Sequence, residues 1–449
     1  MPSMKSVVTI GFTVVVILCV FLVVAAVIQF IQEKNVKKEI LAAKPVPMKI
    51  AKGRWIVIGS GISAATVVYY MDPPLRSATY LREGTTRFGG RILSQPRSLD
   101  PMNTITQAQE FGAWEYDTFN HVYTKAFLLS LQMPTYLQIF YPNRSFMYFG
   151  GKRLPWPPVP TLPVDVPYGD VPVGDVQKWT AHTSIPPSLA PTASTKTLWN
   201  LVKPITSSVV TGLGWQAVPF RAILNTQVQY DRQVKSILSV SPTTVTVSYT
   251  SGETESVQGV VLTCPPGDLV NIAGILPEAK ALVQNSLVPV TQGILNLQWK
   301  AADAWWPQLG FEHAVAATDT PLGRFATVDA GDMRCEISGE DMVAYWTNML
   351  VKEGMAAAAA QVATILTEIF GKPVPAPAFV SFRGWPNGLW LWKSGVDKAA
   401  ARLKMVRPCG EDVAVWWSSG DISNNQGWVE GCVEAGLSTA KAVNSYVQM

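Results

Sequence analysis

The stretch from Trp55 to Ile92 constrains the fold more than any other part of the chain. It begins with a short apolar run, Trp55-Ile56-Val57-Ile58, whose β-branched residues are typical of a buried parallel strand. The next six residues, Gly59-Ser60-Gly61-Ile62-Ser63-Ala64, fit the pattern G-x-G-x-x-G/A, and an apolar helical stretch follows to about Tyr70. A strand, a glycine-rich turn and a helix in this order are typical of a loop that binds the pyrophosphate of a dinucleotide.

Each small residue of this turn has a predicted role. Gly59 permits the tight turn, Gly61 lets the backbone approach a pyrophosphate, and Ala64 lets the helix pack closely on the strand. Ser63 lies in the first helical turn, where free N–H groups and the positive end of the helix dipole favour phosphate. An ordinary glycine-rich loop is the alternative interpretation.

An acidic residue at a characteristic distance supports the nucleotide interpretation. A second strand, from about Ala78 to Leu81, leads to Glu83, which lies 22 residues after Gly61. At about this spacing a carboxylate accepts hydrogen bonds from the ribose of a bound dinucleotide. The preceding strand, the following helix and this acid together favour a cofactor site over a plain loop.

Composition excludes several classes of function. Of the 449 residues, 48% are hydrophobic and only 15% are charged, and 16 are tryptophan, which suggests large buried surfaces or an apolar site. A formal net charge of +4 is too small to indicate a nucleic-acid partner. The five cysteines form no C-x-x-C pair and the three histidines are dispersed, so neither a metal site nor a Cys/His nucleophile is expected. We expect scattered, mostly reduced cysteines, with two disulfides as the alternative in a luminal domain.

The N-terminal region predicts a membrane anchor. Val7–Ile31 is an uncharged run of 25 residues, long enough to cross a bilayer of ~30 Å as a helix. A cleaved signal peptide is the alternative, although its apolar core would span only about 7–15 residues. Lys5 precedes the run, and more lysines follow it: Lys34, Lys37, Lys38, Lys44 and Lys49. The positive-inside rule therefore predicts a single-pass protein whose large domain is cytosolic, joined through a solvated linker at residues 32–52.

A family resemblance begins just beyond Glu83. The run Arg87-Phe88-Gly89-Gly90-Arg91, with Glu83 before it, resembles the N-terminal motif of the FAD-dependent amine oxidase superfamily, which includes monoamine, polyamine and L-amino-acid oxidases. The resemblance implies that Gly89 and Gly90 let the backbone approach FAD. It also implies that Arg91 lies against the phosphate and flavin portion of the cofactor.

Two internal stretches extend the resemblance. Gln109-Glu110-Phe111-Gly112-Ala113 resembles the family's E-x-G-A/G stretch, so Gly112 and Ala113 are expected close to the flavin ring, with a plain turn as the alternative. The block from Val234 through a hairpin at Ser251-Gly252 to Thr263-Cys264-Pro265 resembles the next part of the FAD domain. There the backbone of Val234 would face the adenine.

The C-terminal region carries a second family motif. Phe382-Arg383-Gly384-Trp385-Pro386 resembles the stretch in which a tryptophan packs beside the flavin, which assigns that position to Trp385. Ser419-Gly420-Asp421, followed by Gly427-Trp428-Val429-Glu430-Gly431, resembles the motif that holds the ribityl and flavin portions. Gly420 and Asp421 would bind the ribityl–phosphate side. Val429 would face the flavin's O2 edge, and Trp428 would face that edge and form one wall of the substrate slot.

Two family positions are occupied differently in this chain. Covalently flavinylated relatives have a cysteine about nine residues after the tryptophan, where this sequence has Lys393-Ser394-Gly395, so we expect noncovalent FAD. Many amine oxidases have a lysine bridged by water to flavin N5. This chain has none between Lys280 and Lys300, and the matching position falls near Gly293 or Ile294.

The expected fold is an α/β protein with a discontinuous, Rossmann-like FAD domain, a mixed α+β substrate domain and an N-terminal transmembrane helix. The predicted divisions are a tail at 1–6, the helix at 7–31, the linker at 32–52, FAD-domain parts at 53–112, 213–275 and 384–449, and substrate-domain parts at 113–212 and 276–383.

The expected function is oxidation of a small molecule at the flavin. The resemblance implies hydride transfer from a C–H bond, usually beside an amine nitrogen, to flavin N5 and reoxidation by O2. One alternative is a desaturase or dehydrogenase of a lipidic substrate, such as a porphyrinogen, polyene or prenyl compound. The other is a noncatalytic flavin-binding protein.

Overall fold

The computed structural model describes residues 53–95, 108–138, 140–141, 143–155, 207–210, 214–241, 243–329 and 331–448. The predicted membrane helix at 7–31 and the linker at 32–52 lie outside the described residues. Most of the proline-rich stretch that follows Leu154 also lies outside them.

The described part of the chain contains both strands and helices, and runs of consecutive strands separate the helices. The strands of the first half are β1 Trp55–Ile58, β2 Thr79–Arg82, β3 Ser94–Gln95, β4 Gln109–Glu110, β5 Glu115–Asp117, β6 Thr135–Gln138, β7 Phe146–Phe149, β8 Lys152–Pro155, β9 Ser207–Val210 and β10 Val228–Gln229. Those of the second half are β11 Val234–Ser241, β12 Thr244–Tyr249, β13 Thr254–Val257, β14 Gly259–Leu262, β15 Leu287–Gln298, β16 Val315–Thr318, β17 Arg324–Asp329, β18 Asp332–Ser338, β19 Phe379–Trp392 and β20 Val415–Trp417. The helices are α1 Ile62–Tyr70, α2 Pro73–Ser77, α3 Val122–Ser130, α4 Ala217–Ala222, α5 Pro266–Leu269, α6 Pro277–Ser286, α7 Glu340–Asn348, α8 Gly354–Phe370, α9 Lys398–Met405 and α10 Val429–Gln448.

A five-stranded parallel sheet forms around the first strand, in the order β10-β2-β1-β14-β20. Every residue of β1 and β14 is buried, which explains why these strands are continuous apolar runs rather than alternating ones. Its strands come from three separate sections of the sequence, as a discontinuous nucleotide-binding domain requires. The exact domain divisions given above stay a prediction.

Helices α1 and α10 pack against each other beside this sheet. Gly436 of α10 sits so close to α1 that a Cβ on it would lie 2.6 Å from the Cβ of Thr66. Ala64, which the sequence assigns to close helix packing, is fully buried. The C-terminal helix therefore completes the core around the glycine-rich turn although it lies more than 350 residues away in sequence.

The predicted hairpin at Ser251-Gly252 is confirmed. Strands β11, β12 and β13 form an antiparallel three-stranded sheet, and the alternation in β12 buries Val245, Val247 and Tyr249. The chain then enters the parallel sheet through β14, so this excursion returns it to the nucleotide-binding side.

A second large sheet has seven strands in the order β19-β15-β18-β17-β16-β7-β8. In the antiparallel register, Ile294 of β15 lies between Glu336 of β18 and Arg383 of β19. Because paired residues project from the same side of a sheet, the polar side chains of Glu336 and Arg383 lie on one face. The residues between them, such as Leu295 and Cys335, project from the opposite face into a second apolar core.

Helices α7 and α8 cover the apolar face of this sheet. They contribute Val343, Trp346, Val362 and Leu366 to its core. Together with the residues that join them, α7 and α8 form the stretch Glu340–Phe370, which by length and composition alone is the one described helical stretch that could cross a membrane. The core helices of soluble proteins meet the same criterion. Helix α8 ends at Gly371, which is its left-handed C-cap.

Candidate functional site

One cavity of about 1020 Å³ runs from the carboxyl ends of the parallel strands to the polar face of the seven-stranded sheet. Ligands of open α/β sheets bind at this end of the strands. Of the site residues predicted from the sequence, all except the buried Ala64 line this cavity: Gly59, Gly61, Ser63, Glu83, Gly89, Gly90, Arg91, Gly112, Ala113, Val234, Trp385, Gly420, Asp421, Trp428 and Val429. Their individual roles stay predictions.

The glycine-rich turn has the shape expected of a phosphate-binding loop. Gly59 has φ +111°, and a Cβ there would lie 2.3 Å from Oγ1 of Thr263, so a larger residue does not fit. Gly61 and Gly90 also approach closely, because a Cβ on Gly90 would lie 3.3 Å from the Cα of Gly61. The turn therefore presents bare backbone and the N-terminus of α1 to the cavity.

Glu83 is held at the end of β2, where the sequence predicts a ribose-binding acid. The hydroxyl of Ser60 donates to its Oε2 at 2.5 Å, and the N–H and hydroxyl of Thr85 donate to its Oε1 at 3.0 and 2.8 Å. The carboxylate is thus fixed in orientation. It keeps acceptor capacity on the cavity side, since an ionised carboxylate accepts about four hydrogen bonds.

Arg91 and Asp421 form a bidentate ion pair. Nη1 and Nη2 of the arginine lie 2.9 and 2.7 Å from Oδ1 and Oδ2 of the aspartate. Nη1 also donates to the carbonyl of Gly388. Burial lowers the pKa of the guanidinium, but the charge of Asp421 outweighs it and raises the pKa above its ordinary value. Both residues line the cavity, so the pair fixes the position of the Arg91 guanidinium at the cavity wall.

Arg334 holds the backbone at Gly112. Its guanidinium donates to the carbonyl oxygens of Glu110 and Gly112, and Asn296 also donates to Glu110. The side-chain carboxyl of Glu110 accepts hydrogen bonds from other partners, the Ser94 hydroxyl and the backbone N–H of Trp215. Burial raises the pKa of Glu110 to about 8, so this carboxyl is largely protonated at neutral pH.

Trp428 stands at the N-terminus of α10. Its ring meets that of His121 edge-on, with centroids 4.8 Å apart. Glu430, two residues further on, is buried and accepts hydrogen bonds from the backbone N–H groups of Tyr123 at 3.0 Å and Thr124 at 2.7 Å, so it caps α3 from another helix. Burial raises the pKa of Glu430 to about 7. The α3–α10 contact fixes the cavity wall at Trp428.

Trp385 lies on β19 with its indole N–H donating to the carbonyl of Phe111. Two guanidinium groups lie against its ring: Arg87 at 5.5 Å and Arg383 at 4.9 Å from the centroid. The tryptophan that the sequence assigns to the flavin environment is therefore part of a cationic wall.

The charged sheet wall is the part of the site that the motifs do not predict. Arg324 lies 2.6 Å from Glu336 and 3.7 Å from Glu115, and Arg334 lies 3.7 Å from Glu336. Burial raises the pKa of Glu336, but the two arginines outweigh it and hold the pKa below its ordinary value. The alternation of polar and apolar residues in β18 is the sequence signal that marks this face.

The described cysteines are free thiols: Cys264, Cys335, Cys409 and Cys432. Cys264 and Cys432 line the cavity, and burial raises the pKa of both thiols. Ser394, at the position of the covalent attachment in some relatives, is exposed and does not line the cavity. Within the described ranges no group of three His, Cys, Asp or Glu side chains could hold a metal ion.

The fold and cavity define a class of protein in which a parallel sheet with a glycine-rich turn opens into a chamber walled by a second sheet. The family model for flavin-containing amine oxidoreductases matches residues 174–444, which is more than half of the chain. The chain therefore belongs to this family and is an FAD-dependent oxidoreductase.

Solved structures share the fold. Cyclohexylamine oxidase from Brevibacterium oxydans IH-35A aligns with a TM-score of 0.67 and 15% identity, over 88% of this chain and 100% of its own. A putrescine oxidase double mutant redesigned in its cofactor binding aligns with a TM-score of 0.60 and 15% identity, over 88% of this chain and 99% of its own. No curated protein sequence matches the chain.

The residues of the cavity fit FAD. Its volume lies at the upper end of the range for ligand pockets, as a dinucleotide with an adjoining substrate requires. The turn at Gly59 and Gly61 excludes side chains, and Glu83 and the Arg91–Asp421 pair supply the acceptor and donor groups that a ribose, a pyrophosphate and a ribityl chain use.

Proposed function

We propose that this protein is a membrane-anchored oxidoreductase that removes a hydride from a C–H bond beside an amine nitrogen and is reoxidised by O2. FAD, when bound, supplies N5 as the hydride acceptor. The observation that carries the proposal is the single cavity, which joins the cradle at Gly59 and Gly61 to the wall formed by Trp385 and Trp428. A substrate in that chamber would lie beside the cofactor with no gap of solvent between them.

The chain's own contribution is orientation and electrostatics. The turn at Gly59 and the N-terminus of α1 would hold the pyrophosphate of FAD, and Glu83 would hold a ribose. Val429 opens α10, whose positive dipole end would stabilise negative charge on a reduced flavin. Trp428, fixed by His121, would bound the substrate slot and exclude water.

The wall beside the substrate differs from that of a lysine-bearing amine oxidase. Ile294 occupies the cavity side of β15, and a Cβ on Gly293 would lie 2.5 Å from the ring of Phe382 on the other face. Neither position offers a cation. Cations lie on both sides of Ile294: Arg383 is directly opposite on β19, and Arg334 is on β18, opposite Asn296.

The visible spectrum of the purified full-length protein tests the proposal. We expect the flavin bands to bleach anaerobically with at least one member of an amine panel, and to return in air with release of peroxide. Bands that persist with every amine would contradict amine oxidation. Bleaching that air does not reverse would contradict O2 as the acceptor.

The lipidic alternative is less well supported, because the cavity wall carries Arg324, Arg334 and Glu336. A polyene or prenyl chain would leave these charges buried without water. Bleaching by a lipid extract without peroxide would favour it over an oxidase. Retained FAD that no substrate bleaches would favour a noncatalytic protein.

We also propose that Val7–Ile31 anchors the enzyme, with the large domain in the cytosol. The length of the run and the lysines after it support this. Full-length protein should resist extraction from membranes by alkaline carbonate, and a chain beginning at residue 32 should be released. Protease added outside sealed cells should leave the large domain intact, and its digestion there would contradict the topology.

A further inference from the structure

Helices α7 and α8 carry apolar side chains that the core does not cover. A helix that serves only the core of a soluble protein is mostly buried, but in the most apolar run of 18 residues within Glu340–Phe370 only 28% of the residues are buried. Val351 is 79% exposed, the largest exposed fraction among the large hydrophobic side chains of the described residues. Met355 and Met342 are 44% and 37% exposed. We call the exposed apolar side of these helices, from Met342 to Met355, the α7–α8 surface.

Helical spacing makes this surface continuous along α7. Met342, Tyr345 and Met349 follow one another at intervals of three and four residues, so their side chains lie next to each other. Two adjacent residues of opposite charge, Lys352 and Glu353, are the only charged residues between the start of this stripe and the last turn of α8. The surface is therefore apolar, with one charge of each sign where the two helices meet.

The junction between the helices is open to solvent. Met349–Glu353 form a π-helical turn, a wider turn than that of an α-helix, and Val351 lies at its middle. Gly354 follows with φ +86°, and a Cβ on it would meet no neighbouring atom within 4 Å. No other element of the described chain covers the backbone at this point, which leaves the side chain of Val351 facing outward.

A lipid bilayer is the apolar phase that this chain brings within reach of the surface. The proposed anchor, Val7–Ile31, is joined to the large domain by residues 32–52, and these 21 residues span at most about 70 Å when fully extended. A domain of about 400 residues is about 55 Å across. The α7–α8 surface can therefore contact the bilayer while the anchor stays inserted, and its apolar side chains would leave water there.

We propose that the α7–α8 surface lies in the interface of the bilayer and docks the large domain onto the membrane. The inference rests on the proposed membrane anchor. The opposite side of both helices packs into the core of the seven-stranded sheet, so the helices lie along the bilayer and do not cross it. Because Lys352 and Glu353 have opposite charges, docking relies on apolar burial and does not require anionic lipid.

Docking on this side sets the orientation of the enzyme. Helices α7 and α8 cover the apolar face of the seven-stranded sheet, whereas the cavity lies at its polar face. The sheet therefore separates the bilayer from the cavity. This orientation suits a substrate dissolved in water better than one dissolved in the bilayer.

Fluorescence quenching in vesicles tests the docking with the full-length protein. The dye NBD is attached to Val351→Cys or to Leu403→Cys, each in a protein that also carries Cys19→Ser, and the protein is reconstituted into phosphatidylcholine vesicles. Leu403 is the matched control, because it is 72% exposed and lies on α9. The labelled Cys19→Ser protein gives the background from the other thiols. Lipid brominated in its acyl chains should lower the emission at position 351 roughly twofold, since an interfacial helix buries its apolar face by about 5–10 Å, and should not change the emission at position 403.

A negative charge in the π-helical turn tests the same contact. With NBD on Met355→Cys, Val351→Asp should remove most of the quenching, because a carboxylate in the apolar part of the bilayer is costly. Leu403→Asp should leave the quenching at position 355 unchanged. Both substituted side chains are exposed, so neither change disturbs the core.

Three results would overturn the proposal. One is emission at position 351 that brominated lipid does not quench. Another is emission at 351 that is shifted to shorter wavelength without quenching, which would assign the surface to a contact with protein, such as a second copy of this chain. The third is equal quenching at positions 351 and 403, which would show that no particular side of the domain faces the bilayer.

Extraction with alkaline carbonate separates this inference from the proposed anchor. Val351→Asp should resist extraction as wild type does, because the anchor is unchanged. Full-length protein that carbonate releases would contradict the anchor, while the quenching at position 351 would still decide the docking. Protein that resists extraction and shows no quenching at position 351 would leave the anchor standing and the docking wrong.

Discussion

Arg91 and Asp421 lie 330 residues apart in the sequence and meet as a bidentate pair at 2.7 and 2.9 Å. Asp421 is almost fully buried, and its oxygens also accept from the Ser419 hydroxyl and the Trp390 N–H. The pair joins the loop after β2 to the segment just before α10. The pair therefore links two parts of the chain that are far apart in sequence, and it lies at the wall of the cavity.

Removal of this pair should affect stability and FAD content together. Asp421→Asn leaves the arginine without its counter-charge, and breaking a buried pair costs about 3 kcal/mol. We expect the free energy of unfolding to fall by about that amount and FAD to dissociate more readily. Guanidinium unfolding and the flavin absorbance of the purified protein measure the two effects. Asp412→Asn, at an exposed site, should change neither.

The contact between Glu430 and α3 predicts a helix-capping defect. Glu430→Ala removes the acceptor for two N–H groups at the N-terminus of α3, and loss of a cap costs about 1–2 kcal/mol. Glu430→Gln keeps one acceptor and should recover part of that loss. Denaturant unfolding checks both variants against Glu353→Ala, an exposed glutamate near the start of α8. Equal stability of Glu430→Ala, Glu430→Gln and Glu353→Ala would contradict a capping role for Glu430.

The local part of this fold could be predicted from the sequence because short patterns determine it. The buried strand β1, the turn at Gly59 and helix α1 follow from consecutive residues, and the hairpin at Ser251-Gly252 follows from alternation and turn chemistry. The family motifs then named residues that the structure brings to one cavity. Their roles toward the cofactor stay predictions.

The long-range part could not be predicted in the same way. The sequence names Arg91 and Asp421 as separate cofactor ligands, and nothing local shows that they bind each other. The alternation in β18 predicts a strand with one polar face, but the register that places Glu336 two strands from Arg383 depends on the whole sheet. Pro386 within β19 is tolerated because β19 is an edge strand with a bulge in its pairing to β15.

The pKa of Glu110 predicts a pH dependence of stability. The folded protein keeps this carboxyl protonated to about pH 8, whereas the unfolded chain releases the proton near its ordinary value of 4.5. Since the folded state binds the extra proton, wild-type stability falls as pH rises from about 5 to 8, by up to about 1.4 kcal/mol per pH unit. Above pH 8 this contribution is constant.

Glu110→Gln isolates that contribution. The amide can accept from the Trp215 N–H and donate to the Ser94 hydroxyl, so both contacts persist without a titrating proton. We expect the variant to gain stability relative to wild type between pH 5 and 8 and to keep a constant advantage above. Unfolding curves at several pH values measure the difference. A pH-independent difference between the variant and wild type would contradict a raised pKa of Glu110 in the folded state.

Gly59 and Gly395 both have a positive φ, and alanine substitutions at these two positions distinguish backbone strain from an effect on cofactor binding. Gly59 and Gly395 have φ +111° and +77°, but a Cβ on Gly59 would meet Thr263 at 2.3 Å, whereas nothing lies within 4 Å of one on Gly395. Gly395→Ala should cost only the left-handed strain, about 1 kcal/mol, and keep its FAD. Gly59→Ala should cost more and lose FAD, because Thr263 must move and the turn with it. Equilibrium unfolding and flavin content after gel filtration test both variants, and a Gly59→Ala protein that retains full FAD would show that the turn does not hold the cofactor.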